Sequence, residues 1–206
     1  MTDKKLKVIG ITGGVGSGKT ELLHYISEHY ACRILYADEI AAQMQEPGGK
    51  CYQELKELLG EELFLGNGEM DRALLAEKIF QNAALLQQVN ELIHPAVVQE
   101  ILNQISIEQE KGEKQFVFIE AALLIENGFD KICGELWYIY TDIEVRRERL
   151  KRSRGYSEDK IGAIVNRQLS EEEFRKHCQV VIDNSRSLQE SIRQISQVLE
   201  GYTCHR

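Results

Sequence analysis

Residues 6–20 read Leu-Lys-Val-Ile-Gly-Ile-Thr-Gly-Gly-Val-Gly-Ser-Gly-Lys-Thr, and the fold is decided in this stretch. Its first half, Leu6 to Thr12, is a short β-branched run that ends at glycines, the pattern of a buried strand. Its second half, Gly13 to Thr20, matches G-x-x-x-x-G-K-[ST] in full. Glycines carry no Cβ, so the backbone here can curl with its N–H groups turned inward on phosphate oxygens. A helix is expected from about Gly18 to Tyr30, and its positive end points at the same place. Lys19 then reaches the β- and γ-phosphates of a nucleotide, and the Thr20 hydroxyl is a magnesium ligand. A flexible glycine-rich turn is the bland alternative. A strand before and a helix after favour a nucleotide phosphate cradle built from Gly14, Val15, Gly16, Ser17, Gly18, Lys19 and Thr20.

Further strands are expected at Arg33–Ala37, Gln115–Ile119, Leu136–Tyr140 and Val180–Ile182. Asp38 follows the second, at a position able to cap the next helix. Pro47-Gly48-Gly49 breaks the chain. From there to about Gly112 the pattern is helical, with a turn at Gly66-Asn67-Gly68 and a new helix starting at His94-Pro95, proline in its first turn. No good strand falls in this stretch, so residues 47–112 read as a helical insertion. After the fourth strand a helix from about Ile143 carries basic residues, Gly155 interrupts it, and Ser157 caps the next. A last helix begins near Ser187. The expected architecture is one α/β domain over 1–206, a P-loop NTPase-type three-layer fold. It has a mostly parallel sheet of about five strands, the helical insertion, and a small lid over 146–158. Ligands in such sheets bind at the carboxyl ends of the strands, where the glycine loop, Asp38, Glu120 and Asp142 fall.

The chain has 206 residues and a net charge of −8. That balance argues against nucleic acid or an acidic membrane as partner, while leaving room for a local phosphate site. Cys32, Cys51, Cys133, Cys178 and Cys204 are odd in number and contain no C-x-x-C pair, which favours free thiols in a reducing cytoplasm. The opening MTDKK has no apolar run behind it, and no stretch is long enough to span a bilayer. A soluble cytoplasmic protein is expected, monomeric or weakly homo-oligomeric. Between Arg146 and Arg154 stand six basic residues opposed only by Glu148. A solvated helix face, a nucleic-acid patch and a phosphate-closing lid are the three readings of this cluster. The break at Gly155 suits the lid, with Arg149 and Arg152 sharing a face.

P-loop chains include switches, motors and small-molecule kinases. The guanine-reading N-K-x-D of switches is absent here, and the chain is short for a motor, so a small-molecule kinase is the class expected. Rival readings are a nucleoside or nucleoside-monophosphate kinase, and an ATP-binding module without catalysis.

The order of motifs resembles the dephospho-CoA kinase family almost end to end. Gly10 to Thr20 is similar to the family's opening; Ala37-Asp38 with Ile40-Ala41 and Pro47-Gly48 resembles D-A-D-x-I-A…P-G. Asp71-Arg72 with Leu75 and Phe80 is similar to D-R-x-x-L…F, and Ile93-His94-Pro95 matches I-H-P. Glu120 to Glu126 resembles D-x-P-L-L-F-E, and Gln168 with Val181-Ile182-Asp183-Asn184 matches the late glutamine and V-I-x-N. Departures are Tyr36, Glu120, Ala122, Ser153 and Gln179, where the family pattern has aspartate, aspartate, proline, arginine and aspartate. The resemblance implies transfer of the ATP γ-phosphoryl group to the ribose 3′-hydroxyl of dephospho-CoA, with Mg²⁺, the last step of coenzyme A synthesis. It implies that Asp38 receives the hydroxyl proton, with Lys19 and Arg149 stabilising charge. Arg152 and Asn184 join the ATP site, Asn184 near adenine. Arg72, His94 and Glu120 face the substrate, and Glu120 joins Thr20 at the metal, through water. Glu126 and Asp142 read as structural or solvated.

Overall fold

The β-branched opening run becomes β1 (Lys7–Thr12), central in a sheet with β2 (Cys32–Tyr36), β3 (Phe116–Glu120), β4 (Glu135–Tyr140) and β5 (Val180–Asp183). This computed structural model describes residues 6–204. The opening MTDKK and the side chains of Phe80 and Cys204, all used above, lie outside what is described. Strand order is β2-β3-β1-β4-β5. β1 runs parallel to β3 with Ile9 opposite Phe118, and parallel to β4 with Ile11 opposite Trp137; β4 pairs parallel with β5. Ile9, Val117, Phe118, Ile119 and Trp137 are fully buried, as expected of strands covered on both faces. Adjacent residues of β4 show the two layers. Tyr138 stacks on Phe174 of α8 (Glu171–His177), at 4.7 Å between ring centroids. Trp137 points the other way and meets Phe118 edge-on, on the face where Phe116 packs near Tyr202 of α9 (Leu188–Cys204). The sheet is therefore the middle of three layers.

The chain divides into two compact units, residues 1–34 with 108–206, and residues 35–107. The first holds most of the sheet, α1 (Lys19–His29), α6 (Ile143–Arg154), α7 (Glu158–Val165), α8 and α9. The single helix expected after Ser157 is two. Ser157 caps α7 and Ser170 caps α8, each through its hydroxyl, and Gln168 lies in the turn between them.

The second unit is helical: α2 (Ala37–Gln45), α3 (Tyr52–Leu59), α4 (Arg72–Gln81) and most of α5 (Ala83–Lys111). Two sequence readings fail here. Asp38 does not cap α2. Buried Ala37 is already helical, Tyr36 holds the cap position, and Asp38 sits exposed in the first turn, where its charge suits the helix dipole. Pro95 does not start a helix. It lies inside α5, which runs unbroken for 29 residues. An interior proline removes one helix hydrogen bond and crowds the preceding turn, costing about 3 kcal/mol. Val89, Ile93, Val97 and Ile101 continue one buried stripe at i+4 spacing across it, and that burial offsets the cost. The Gly66-Asn67-Gly68 turn forms as expected, closed by one antiparallel bridge between Phe64 and Met70.

Candidate active site

Thr12, Glu120, Tyr140 and Asp183 end their strands on one edge of the sheet, and the glycine loop crosses that edge from β1 to α1. The loop's carbonyls are tied to protein donors. Gly13 O accepts from Lys19 Nζ at 2.8 Å, Gly14 O from Ser17 N at 3.0 Å, and Val15 O from Arg146 Nε at 3.1 Å. Ser17 O accepts twice, from Thr141 Oγ1 at 3.0 Å and from Asn184 Nδ2 at 2.7 Å. With its oxygens held by the protein, the curled loop offers N–H groups to a ligand. Gly18 is the N-cap of α1, in the left-handed region (φ 84°), and has no side chain to cap the helix. The orphan N–H groups of that first turn are the usual seat of a phosphate.

The glycines here are required by space. A Cβ on Gly14 would lie 2.2 Å from Arg146 Nη2, and one on Gly18 would lie 2.4 Å from Asn184 Nδ2. A Cβ on Gly16 would press on Leu150 at 2.9 Å. Arg146, Arg149 and Leu150 share one face of α6, which walls the loop from behind.

Lys19 Nζ also lies 3.7 Å from a carboxylate oxygen of Glu120, the strand-end acid expected at the metal with Thr20. Thr20 stands exposed in the first turn of α1 beside Lys19. One hydroxyl and one carboxylate are hard oxygen donors of the kind Mg²⁺ takes, since it keeps most of its waters and adds phosphate oxygens. Thr20 and Glu120 therefore fit the ion. Among the described residues there is no group of three or more His, Cys, Asp or Glu able to hold a metal.

Arg149 and Asn184 come together, Arg149 Nη2 donating to Asn184 O at 2.9 Å. The polar groups of Asn184 serve the scaffold: Nδ2 holds Ser17, Oδ1 accepts from Ser191 Oγ at 2.8 Å, and its N–H donates to Tyr140 O. Arg152 is exposed further along α6, and Gly155 ends that helix in the left-handed region. Asp142 is the N-cap of α6, accepting from Glu144 N at 2.9 Å. Gln179 donates and accepts with Leu136, extending the β4–β5 pairing by one residue.

In the second unit, Arg72 opens α4 directly after Asp71, whose carboxylate caps that helix. Arg72 lines a cavity of about 380 Å³ with Glu46, Pro47 and Met70. His94 lines a separate groove of about 440 Å³ on α5, with Leu86, Asn90 and Pro95. Among the cavities described, the two residues line different ones.

Sequence reasoning passed over Arg146, Thr141 and Ser191, and met Gln168 only as a family match. Gln168 Oε1 accepts from Val15 N at 3.2 Å and from Arg146 Nη2 at 2.8 Å. Burial pushes the Arg146 guanidinium below its usual range, and both of its hydrogen-bond acceptors are neutral. It adds positive charge beside the loop. No spacing rule could single out Arg146, because its partners lie at positions 15 and 168.

Comparison with known proteins agrees with this geometry. The profile of the dephospho-CoA kinase family matches residues 7–190. A dephospho-CoA kinase of Carboxydothermus hydrogenoformans is 32% identical over 197 residues, 96% of this chain and 95% of that one. A crystal structure from Thermus thermophilus superposes with a TM-score of 0.79 at 31% identity, covering 95% of this chain and 97% of that one. The dephospho-CoA kinase of Campylobacter jejuni shares the fold, with a TM-score of 0.70 at 21% identity over 96% of this chain and the whole of the other. Of the described helices, none is long and apolar enough to cross a membrane. A phosphate loop braced from α6, a mostly parallel five-stranded sheet and a family profile that spans nearly the whole sequence lead to one statement: this chain belongs to the dephospho-CoA kinase family.

Proposed function

We propose that the chain transfers the γ-phosphoryl group of ATP to the ribose 3′-hydroxyl of dephospho-CoA, giving coenzyme A and ADP. The observation that carries this is the phosphate loop whose carbonyls are held by Lys19, Ser17, Arg146, Thr141 and Asn184 in a chain of this family. In the transfer, the bond from γ-phosphorus to the bridging oxygen breaks as the bond to the 3′-oxygen forms. The hydroxyl proton passes to Asp38 late in that motion. Such a reaction asks for positioning and charge stabilisation more than covalent chemistry. Lys19 moves from Gly13 O and Glu120 to the phosphates, which N–H groups of Gly16, Gly18, Lys19 and Thr20 hold, those of Val15 and Ser17 being bonded to Gln168 and Gly14 O. Thr20 and Glu120 would hold Mg²⁺, which when bound would offset phosphate charge. Arg149 stabilises the charge that develops, and Arg152 closes over ATP on the lid. Asn184 acts through the loop it props. Arg72 and His94 belong to a CoA-side unit, where Arg72 is the basic residue of a cavity also lined by Glu46, Glu69 and Asp71. The enzyme works in the cytoplasm as a monomer or weak homo-oligomer, without nucleic-acid or membrane partners.

The test is incubation with MgATP and dephospho-CoA, with coenzyme A and ADP read by mass spectrometry beside a panel of nucleosides and nucleoside monophosphates. Coenzyme A as the main product supports the reading. ADP formed only with a nucleoside or nucleotide acceptor would replace it, and ATP binding without turnover on any acceptor would make the chain a binding module.

A further inference from the structure

We propose that Arg146 and Gln168 are a pair of positioning residues that hold the tip of the phosphate loop in its ATP-binding shape and fix the base of the lid. The inference rests on the ATP-dependent reading above and adds residues to it. Val15 is gripped on both polar groups of its backbone. Its N–H donates to Gln168 Oε1 at 3.2 Å, and its carbonyl accepts from Arg146 Nε at 3.1 Å. The ring closes through Arg146 Nη2, which donates to the same Gln168 oxygen at 2.8 Å.

The built character of this grip lies in its burial and its fit. Arg146 is buried enough to feel desolvation and spends its donors on neutral acceptors, an arrangement that stays favourable only while both are in place. Its guanidinium occupies the space a Cβ on Gly14 would need. One turn on, Leu150 is buried against Gly16, so the inner face of α6 is fixed to the loop at two points one turn apart.

The placement in sequence gives the second consequence. Residues 147–167 leave the loop at Arg146 and return to it at Gln168, and both ends hold Val15. The excursion between them carries exposed Arg152, Arg154 and Gly155, then α7. A lid hinged on this base moves beyond Leu150, later than the boundary of 146 read from the charge cluster. Lid and loop are then coupled through one residue's backbone.

The test uses the full chain and measures ATP binding without acceptor, so it stands whether or not dephospho-CoA is the substrate. Gln168→Leu keeps the bulk and removes the acceptor. We expect its Kd for MgATP to rise about tenfold, the scale of one lost hydrogen-bonded grip, and amide exchange of the peptide holding Val15 to quicken in the nucleotide-free protein. Gln168→Glu keeps an oxygen for Val15 and should restore that protection. Arg146→Met should act like Gln168→Leu, and the double variant should cost little more than either alone, because both act on one peptide. In turnover, KM for ATP should rise more than kcat falls. If Gln168→Leu does not fold, Gln168→Asn, one methylene too short to reach, carries the same expectation. Wild-type affinity and exchange in these variants overturn the proposal. So does tighter ATP binding, which would make Gln168 a competitor of phosphate for the Val15 N–H.

Discussion

Replacing Gly18 by alanine tests the geometry of the loop at its most crowded point. Gly18 sits at φ 84°, and a Cβ there would lie 2.4 Å from Asn184 Nδ2. The left-handed backbone costs an alanine roughly 1–2 kcal/mol. Asn184 must also yield, and it is 3% exposed with its Nδ2 bonded to Ser17 O at 2.7 Å. Breaking that bond inside the protein costs roughly 1–3 kcal/mol. Alanine stiffens the unfolded chain and returns about 0.4–1 kcal/mol. The net loss is about 1–4.5 kcal/mol, which for a chain of this size lowers Tm by roughly 2–18 °C. The part not relieved by relaxation of the loop appears as weaker ATP binding, at least about tenfold in Kd. Differential scanning fluorimetry and calorimetric titration with MgATP read the two effects. Adding Asn184→Ala to Gly18→Ala removes the clash but keeps the backbone strain, so the second change should cost much less than it does in the wild-type background. A Gly18→Ala protein with unchanged Tm and ATP affinity would refute the crowding. Fully additive losses would show that Asn184 and Gly18 do not meet.

Other perturbations separate the remaining roles. Lys19→Ala should lower kcat by roughly 10²–10³ in the dephospho-CoA assay, the usual loss for one charge-stabilising donor. Asp38→Asn should bind ATP normally and lose most turnover; near-normal kcat would remove Asp38 from the chemistry. Glu135 gives a pH signature. Burial pushes its carboxyl up, but hydrogen bonds from Lys7, Tyr202 and Trp137 outweigh this and leave it below the usual range. A carboxyl lowered on folding stabilises above its unfolded pKa, about 4.3, and that stability is lost as pH falls through the folded value. Urea melts of wild type and Glu135→Gln should therefore differ most near neutral pH and draw together as pH falls below the usual carboxylate range; a constant gap would discount the network. Burial raises the thiols of Cys133 and Cys178 to about 12 each. Both should stay silent to a thiol reagent at pH 8 until the protein unfolds, and prompt labelling of either would contradict its burial.

Residues 6–20 alone determined the loop and its flanking strand and helix, because these follow from local chemistry; the central place of that strand came from the sheet topology. Glycines permit the curl, β-branched residues favour a strand, and the helix start supplies N–H groups at fixed spacing. The strand sequence and the helical stretch after Pro47 were legible for the same reason. Pro95 was misread because local propensity ends a helix there, while the stripe from Val89 to Ile101 that overrides it becomes favourable only when buried. The local pattern left Asp38 able to cap α2, but the helix begins one residue earlier, at Ala37, and places Asp38 in its first turn. Tertiary structure alone decided the ring of Val15, Arg146 and Gln168 and the propping of Ser17 by Thr141 and Asn184. All but the Arg146–Gln168 bond span more than a hundred residues of sequence. They exist because parallel strands carry their carboxyl ends, and the helices that follow them, to one edge of the sheet.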